Sequence, residues 1–335
     1  MRNIVPWIVL LAASVAHADD TARAAFAARA ADLAKADAAA LKGADGYYFL
    51  TSDLRHYGLG PFWGDAAARA AVAEKDQDPL PAILDFHAQC TRAGARLIVV
   101  PVPGKASLYP DKLGIKAPAA GRIDASDQAF YDLLRKAGIE VLDLTPAMLD
   151  LRRQGVDSHC RQDTHWSPAS VNATATLIAA TIKRDPWYAA VPRKPAKVVP
   201  VAVSSTGDLV ALLDEKGVAP EKLTIEQVTL DGQPIASDRA SPVLLIGDSH
   251  TLVFHEPING GIEASAAGLP DHLAALLGFA PDLVGALGGG ANASRIDLAR
   301  RKDGLAGKEV VIWCFAAREF TEAPQGWLTV PVVPR

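Results

Sequence analysis

Uninterrupted apolar runs alternate with longer mixed segments over much of the chain. Runs such as Val243–Gly247 lack the apolar–polar alternation of a half-exposed strand and are typical of strands buried on both faces. The predicted strands are Arg96–Val102, Ile139–Leu144, Val243–Gly247, Asp282–Val284 and Glu309–Phe315. The predicted helices are Pro79–Ala93, Ser126–Ala137, Asn292–Arg301 and a helix from Pro168 to about Lys183, capped by Ser167. This order predicts an α/β fold whose mostly parallel sheet carries helices on both faces.

The rest of the chain gives weaker signals. The Ala-rich stretch Thr21–Leu41, which ends before Gly43, predicts a helix, and Asp45–Leu50 predicts a turn that leads into a strand. Residues 194–241 are polar and contain prolines, so we expect an irregular insertion there. We therefore predict a single domain over residues 19–335, with no separate binding module after it.

The first residues have the pattern of a secretory signal. A positive charge at Arg2 precedes the apolar run Ile4–Val15, and Ala16-His17-Ala18 is a small-x-small cleavage site. The run is about half the ~20 residues that a membrane-spanning helix needs. We expect residues 1–18 to be a signal peptide and the protein to be exported, with an uncleaved anchor or a buried helix as alternatives.

Charge and cysteine content narrow the function classes. The chain has 335 residues, a net charge of −4 and no block of basic residues, which argues against a nucleic-acid partner. Its three cysteines, Cys90, Cys160 and Cys314, form no CxxC motif. In an oxidising compartment we expect Cys160, just before a candidate active-site loop, to pair with Cys314 near the end of the last strand. Cys90 then remains a buried thiol.

Ser249 is the candidate nucleophile. The apolar strand Val243–Gly247 leads straight into Asp248 and Ser249, and catalytic groups of open α/β sheets lie at the carboxyl ends of strands. A serine in a tight turn after a glycine presents its hydroxyl at the sheet edge with its N–H free. The alternative is a turn whose serine only caps a helix.

Asp163 and His165 are the candidate partners of that serine. Residues two apart in an extended segment point to the same side, so the Asp163 carboxylate can orient the His165 imidazole. The alternative is that Asp163 only makes a turn and His165 lies on the surface. A metal cluster of His159, Cys160, Asp163 and His165 is a further alternative, but its spacing matches no closed zinc pattern, and we predict no metal.

A third motif is the glycine-rich run Gly288-Gly289-Gly290 before Asn292. Free N–H groups there, or the Asn292 amide, could stabilise an oxyanion, although a flexible loop capped by Asn292 fits equally well. The run lacks the Gly-x-Gly-x-x-Gly spacing of a dinucleotide-binding loop.

Taken together, these motifs resemble the SGNH-hydrolase-like domain of bacterial alginate O-acetyltransferases, which acetylate exopolysaccharide in the periplasm. The resemblance covers about residues 43–320. Its elements are Asp45–Leu50, the Pro-rich strand end Val99–Lys105 with Tyr109-Pro110, Asp163-Thr164-His165-Trp166, Gly247-Asp248-Ser249, and the closing strand from Val311 through Arg318. As in that family, the Asp-x-His motif precedes the nucleophile.

The resemblance implies roles and partners. It implies Ser249 as the acylated nucleophile, His165 as the base and Asp163 as its partner, and we add Gly289, Asn292 and Arg318 as candidates for an oxyanion or substrate site. It also implies a periplasmic O-acetyltransferase with a polysaccharide acceptor, an acetyl supply from a membrane-bound O-acyltransferase, and no cofactor. A polysaccharide acetylesterase and a non-catalytic polysaccharide-binding subunit of an export complex remain alternatives.

Overall fold

The computed structural model describes residues 6–116, 121–230, 232–258 and 261–333, and the N-terminal helix through residue 19 by its backbone alone. The α-helices are α1 (Pro6–Leu33), α2 (Thr51–Gly58), α3 (Ala67–Ala70), α4 (Pro79–Arg92), α5 (Lys105–Leu108), α6 (Ala125–Lys136), α7 (Thr145–Arg153), α8 (Pro168–Ile182), α9 (Asp208–Leu212), α10 (Ser249–Leu252), α11 (Leu269–Leu277), α12 (Gly290–Arg300) and α13 (Glu319–Glu322). The strands are β1 (Ala40–Lys42), β2 (Tyr48–Leu50), β3 (Arg96–Val102), β4 (Glu140–Val141), β5 (Lys197–Ser205), β6 (Glu221–Leu230), β7 (Gln233–Pro234), β8 (Val243–Gly247), β9 (Asp282–Gly285) and β10 (Val310–Ala316).

The central layer is a five-stranded parallel sheet in the order β4-β3-β10-β8-β9. Gly247 at the end of β8 is level with Cys314 in β10 on one side and with Gly285 in β9 on the other. The carboxyl ends of these strands therefore form one edge. Ligand and catalytic sites of open α/β folds lie at this kind of edge.

Alternate side chains of each strand enter two separate cores. Leu245 and Ile312 pack with α8 and α11 on one face. Leu244 and Trp313 pack with α4, α6 and α12 on the other. Burial on both faces explains why these strands are continuous apolar runs in the sequence. The predicted fold class, an α/β sheet with helices on both faces, is confirmed.

Element boundaries follow the predictions closely where the apolar pattern is strong. The strands Arg96–Val102 and Val243–Gly247 are confirmed, and Ser167 caps α8 by accepting a hydrogen bond from the Ser170 N–H. The predicted strand Ile139–Leu144 is reduced to Glu140–Val141. The predicted helix Thr21–Leu41 is wrong at its C-terminal end: α1 ends at Leu33, and Ala40–Lys42 forms a strand.

Residues 194–241 are not irregular, which corrects the prediction. β5 pairs along its whole length with β6, and β6 pairs with β7, all antiparallel. The pattern was missed because most of β5 is exposed, including Val198 and Val199, so it lacks the signature of a buried strand. This ribbon carries α9 between β5 and β6, beside the carboxyl edge of the central sheet.

The N-terminal helix α1 runs through the predicted cleavage site after Ala18. Its later turns belong to the core, since Phe26 and Ala30 are completely buried. Among the helices described, none combines the length and the apolar character needed to cross a membrane. Cleavage of residues 1–18 and the single-domain organisation of residues 19–335 stay predictions.

Candidate active site

The nucleophile turn, residues 247–251, connects β8 to α10. Gly247 is packed so tightly that a Cβ atom there would lie 2.0 Å from the Cys314 carbonyl oxygen. The Asp248 carboxylate accepts hydrogen bonds from the N–H groups of His250 (2.9 Å) and Ala316 (2.8 Å), which join the end of β8 to that of β10. Ser249 is the first residue of α10, and its hydroxyl projects from this fixed turn.

The base loop, residues 158–167, is a narrow hairpin that leads into α8. Cys160 N–H donates to His165 C=O (3.1 Å) and Ser167 N–H donates to Ser158 C=O (3.1 Å), so the two arms are paired. The Tyr109 hydroxyl accepts a hydrogen bond from Ser158 N–H at 2.7 Å. The loop thereby brings the Asp-x-His motif to the edge where Ser249 lies.

Asp163, His165 and Ser249 form one hydrogen-bonded chain. His165 Nδ1 lies 2.6 Å from Asp163 Oδ1, and His165 Nε2 lies 2.8 Å from Ser249 Oγ. When Nδ1 carries the proton and donates to Asp163, Nε2 is left to accept the Ser249 hydroxyl proton. The predicted side chains are thus brought together in the order that a serine nucleophile requires.

The protonation states of Asp163 and His165 depend on burial and on the interaction between the two side chains. Burial by itself would raise the pKa of the Asp163 carboxyl, but His165 and hydrogen bonds from the N–H groups of His165 and Asp208 lower it to about 2. Burial opposes protonation of His165, but Asp163, with smaller contributions from Asp208 and Asp248, raises its pKa above the ordinary value. Asp163 therefore stays ionised and stabilises the protonated imidazole.

Lys105 was not predicted as a site residue from its own chemistry. Its side chain is buried and its Nζ donates to the carbonyl oxygens of Tyr48 (2.8 Å), Arg161 (3.1 Å) and Asp163 (2.7 Å). Burial lowers its pKa to about 8, against the opposing effect of Asp163 and more distant acids. A lysine just after an apolar strand was the sequence signal, but its partners are main-chain groups that no motif reveals.

The His165 imidazole packs against the His250 ring, which in turn contacts Trp166. The ring centroids of His165 and His250 lie 4.9 Å apart, and the Trp166 indole meets the His250 ring edge-on at 5.8 Å. Burial lowers the pKa of His250, although Asp248 acts in the opposite direction. A neutral His250 adds no positive charge beside His165.

Gly289 and Asn292, two candidates for the oxyanion site, both hydrogen-bond to main-chain carbonyl groups. Gly289 N–H donates to the Ala286 carbonyl at 3.3 Å, and the Asn292 amide donates to the Gly326 carbonyl at 2.6 Å. Asn292 Oδ1 also accepts from Leu328 N–H, so this side chain anchors the C-terminal segment. These partners engage the Gly289 N–H and the Asn292 amide, and an oxyanion role for either group stays a proposal.

Gly289 and Asn292 do line an open cavity of about 320 Å³ at the same edge. Glu319 also lines it, and its carboxylate accepts a hydrogen bond from Ala291 N–H at the start of α12. Burial raises the pKa of Glu319 to about 7, although Arg318 acts against that shift. A substrate-binding role for Gly289 and Asn292 thus remains a proposal.

Arg318 is held beside the active site. Its guanidinium lies 3.2 Å from Asp53 and is 16% exposed. Burial opposes its charge, but Asp53, Glu319 and Asp248 raise its pKa, so it stays a cation. Its predicted role in an oxyanion or substrate site stays a proposal.

The predicted disulfide is wrong for this structure. Cys160 and Cys314 are both free, buried thiols, and so is Cys90. The Cys160 thiol is directed at the Trp166 carbonyl inside the base loop, at 3.4 Å, whereas Cys314 packs within the core around β10. Burial raises the pKa of both thiols well above the ordinary value, which favours the protonated thiol at neutral pH.

The alternative metal cluster is not the grouping that forms. The three side chains that lie close enough to share a metal ion are Asp163, His165 and Asp208, with one ligand atom from each within 4.8 Å of the others. His159 and Cys160 are not members of this group. Asp163 and His165 hydrogen-bond to each other, His165 bonds to Ser249, and Asp208 accepts from Thr164 N–H at 2.7 Å. This arrangement favours proton transfer over metal ligation.

The chain is similar in sequence to proteins described as probable alginate O-acetylases. It is 28% identical over 193 residues to a probable alginate O-acetylase AlgJ of Pseudomonas syringae, which covers 55% of this chain and 48% of the relative. It is 31% identical over 114 residues to the probable alginate O-acetylase AlgJ of Pseudomonas aeruginosa, covering 34% and 29%. The chain thus spans about half or less of the length of these curated relatives.

Solved structures show the same fold. The O-acetyltransferase domain of Pseudomonas putida AlgJ superposes with a TM-score of 0.61 at 20% identity, over 84% of this chain and 92% of that one. Pseudomonas aeruginosa AlgX superposes with a TM-score of 0.55 at 19% identity, over 83% and 61%. The sequence profile described as the SGNH hydrolase-like domain of the acetyltransferase AlgX matches residues 61–315, well over half of the chain. The chain therefore belongs to the AlgX family of SGNH hydrolase-like acetyltransferase domains.

Proposed function

We propose that the protein is a periplasmic O-acetyltransferase that passes an acetyl group through Ser249 to a hydroxyl of an exopolysaccharide. The observation that carries the proposal is the hydrogen-bonded chain from Asp163 through His165 to Ser249. The relatives are described as probable alginate O-acetylases, and this description supplies the group that is transferred and the class of acceptor. The intact triad argues against a purely structural subunit.

The first half-reaction loads the enzyme. Ser249 Oγ attacks the carbonyl carbon of an acetyl ester or thioester while its proton passes to His165 Nε2. The carbon–heteroatom bond of the donor then breaks, and the leaving group takes that proton from His165. Asp163 stabilises the imidazolium in between and does not itself take up the proton.

The second half-reaction transfers the acetyl group. His165 takes the proton of an acceptor hydroxyl, whose oxygen attacks the acetyl carbonyl on Ser249. The bond to Ser249 Oγ breaks, and His165 returns the proton to it. The N–H of Ser249 is at the first position of α10, where helix geometry leaves it without an intrahelical partner and able to stabilise the oxyanion in both steps.

The acetyl supply requires a partner in this proposal. An exported enzyme has no access to cytoplasmic acetyl donors, so the acetyl group must reach the periplasm already activated. A membrane-bound O-acyltransferase is the class of protein that would deliver it. No organic or metal cofactor takes part in the proposed steps.

Intact-mass spectrometry tests the acyl-enzyme. After incubation with an activated acetyl ester, the wild-type protein should gain one acetyl group, and the Ser249→Ala variant should gain none and should lose about 10⁵-fold or more in ester turnover. Ser265→Ala, at an exposed serine, is the matched control. Near-normal turnover in a folded Ser249→Ala protein would contradict the assignment.

Product analysis separates transfer from hydrolysis. Oligosaccharides offered to the acetyl-enzyme should leave as acetylated sugars, because a positioned acceptor competes with water only when it is bound. Release of acetate alone, whatever acceptor is offered, would favour the acetylesterase instead.

A further inference from the structure

A segment outside the triad packs against the base loop and forms hydrogen bonds with it. We call residues 205–221, which connect β5 to β6, the clasp. Asp208 N–H donates to Asp163 Oδ2 at 3.1 Å, and Thr164 N–H donates to Asp208 Oδ1 at 2.7 Å. Asp208 thus binds the Asp-x-His motif twice, once through its main chain and once through its side chain.

Further contacts fix the same stretch of the base loop. Leu209 N–H donates to the Gln162 carbonyl at 3.2 Å, and the Gln162 amide donates to the Ala219 carbonyl at 2.8 Å. The Glu221 carboxylate accepts hydrogen bonds from the N–H groups of Arg161 (2.8 Å) and Gln162 (3.3 Å). Together with the Lys105 ammonium, which binds the Arg161 and Asp163 carbonyls, the clasp therefore fixes the position of the base loop.

Gly207 allows the close approach. A Cβ atom at this position would lie 2.2 Å from the Gln162 carbonyl oxygen and 2.5 Å from the Asp163 nitrogen. Both neighbours are main-chain atoms, which cannot rotate away as a long side chain could. The clasp and the base loop are therefore in contact backbone to backbone next to Asp163.

Asp208 also contributes charge to the site. It is one of the carboxylates that raise the pKa of His165. Burial and the neighbouring Asp163 raise the pKa of Asp208 itself. The charged or titratable groups that face His165 or Asp208 in this region are Asp163, Asp248, His159, His250 and Lys105.

We propose that Asp208 is a positioning residue of the triad: it holds Asp163 and Thr164 in place and adds a further negative charge beside His165. The inference rests on the proposed function, because it concerns the same triad. It assigns to the ribbon of residues 194–241 a part in catalysis that its sequence does not suggest.

Two variants separate the two contributions. Asp208→Asn removes the charge but keeps an oxygen that can accept from Thr164 N–H, whereas Asp208→Ala removes both. Both variants keep the main-chain N–H that binds Asp163. Asp214→Asn, at an exposed aspartate of the same clasp, is the matched control.

Steady-state cleavage of a chromogenic acetyl ester gives the first measurement. We expect Asp208→Ala to lower kcat by about 10²-fold with little change in KM, since small misplacements of a catalytic group have effects of this order. We expect Asp208→Asn to restore kcat to within about tenfold of wild type. We expect Asp214→Asn to match wild type.

The titration of His165 gives the second measurement. With the Asp208 charge removed, the His165 pKa should fall, so the acid limb of kcat/KM should move to lower pH in Asp208→Asn. NMR of the imidazole measures the same midpoint without turnover. A role in packing alone would not move this midpoint.

The proposal is overturned if Asp208→Ala keeps near-wild-type kcat, or if both variants lose activity equally while the His165 midpoint stays at its wild-type value. If Asp208→Ala does not fold, the Asp208→Asn titration decides alone. An inactive wild-type protein would count against the proposed function, and the NMR midpoint would still support or overturn the role of Asp208.

Discussion

The nucleophile turn and the base loop meet at one hydrogen bond, yet they are held in place by different means. The nucleophile turn is attached directly to the central sheet: Asp248 N–H donates to Cys314 C=O at 3.3 Å, and the Asp248 carboxylate binds Ala316 N–H. The base loop is attached to parts of the chain far apart in sequence, through the ammonium of Lys105 and the carboxylates of Asp208 and Glu221.

This difference predicts different sensitivities. The position of Ser249 derives from a tightly packed apolar sheet, which resists local change. The position of His165 derives from buried polar contacts, which are costly when one partner is removed. Single polar substitutions far from Ser249 in sequence should therefore reduce catalysis through the base loop.

Substitution of Asp163 should have the largest effect on the base side. The two oxygens of its carboxylate accept from three donors: His165 Nδ1, His165 N–H and Asp208 N–H. An asparagine would have to turn its NH₂ group towards one of these donors or force the other His165 tautomer. We expect Asp163→Asn to lower kcat by about 10⁴-fold while the protein stays folded.

Circular dichroism and ester-cleavage kinetics check this expectation together. The control is Asp150→Asn, which makes the same substitution at an exposed aspartate. A folded Asp163→Asn variant with more than a tenth of wild-type kcat would break the triad assignment.

Lys105→Met should come next. The substitution keeps the length of the side chain but leaves the carbonyl oxygens of Tyr48, Arg161 and Asp163 without their donor. We expect the free energy of unfolding to fall by about 2–4 kcal/mol and kcat by about 10²-fold. Urea titration and ester kinetics measure both, with the exposed Lys183→Met as control. Wild-type kcat in Lys105→Met would show that the base loop does not need this anchor.

The pH profile should show a smaller effect. His165 must be neutral to accept the Ser249 proton, and its pKa is raised above 6.5, so the acid limb of kcat/KM should have its midpoint above pH 6.5. The effect on stability has the opposite sign. The contribution of the protonated His165 is fully present below 6.5 and is lost as the pH rises through the raised pKa. An acid limb centred below pH 6 would contradict the charge environment described for His165.

Reduction should have no effect. Because the three cysteines are free and buried, a reducing agent should leave the melting temperature unchanged, and alkylation after unfolding should modify Cys90, Cys160 and Cys314 alike. A drop of several degrees on reduction would restore the pairing expected for an oxidising compartment.

The sequence was most informative where one physical signal dominates. Buried strands such as Arg96–Val102 are recognisable in the sequence as apolar runs, so the sheet could be predicted. The nucleophile turn could be predicted because Gly247-Asp248-Ser249 lies at the end of one such run. The Asp163-x-His165 spacing predicted a pair on one side of an extended segment, and the hydrogen bond between the two side chains agrees.

The sequence was least informative where two distant segments meet through polar contacts. Asp208 follows the mostly exposed strand β5, and its partners Asp163 and Thr164 are more than forty positions away. Asn292 has a side-chain amide of the kind that can donate to an oxyanion, but this amide hydrogen-bonds to main-chain groups of the C-terminal segment. The disulfide expectation rested on redox compartment and proximity alone, and neither fixes the direction of a thiol.

The buried half of α1 limits how far the N-terminus can be trimmed. Phe26 and Ala30 fill the core beneath α2, and Gly58 of α2 lies so close to Ala31 that no larger residue fits there. Processing after Ala18 would retain these contacts. A recombinant version that starts at Ala34 would lose them. Loss of the buried Phe26 side chain alone would lower the free energy of unfolding by about 3–5 kcal/mol. Expression trials should therefore begin the chain before Phe26, and soluble yield should fall abruptly once that residue is removed.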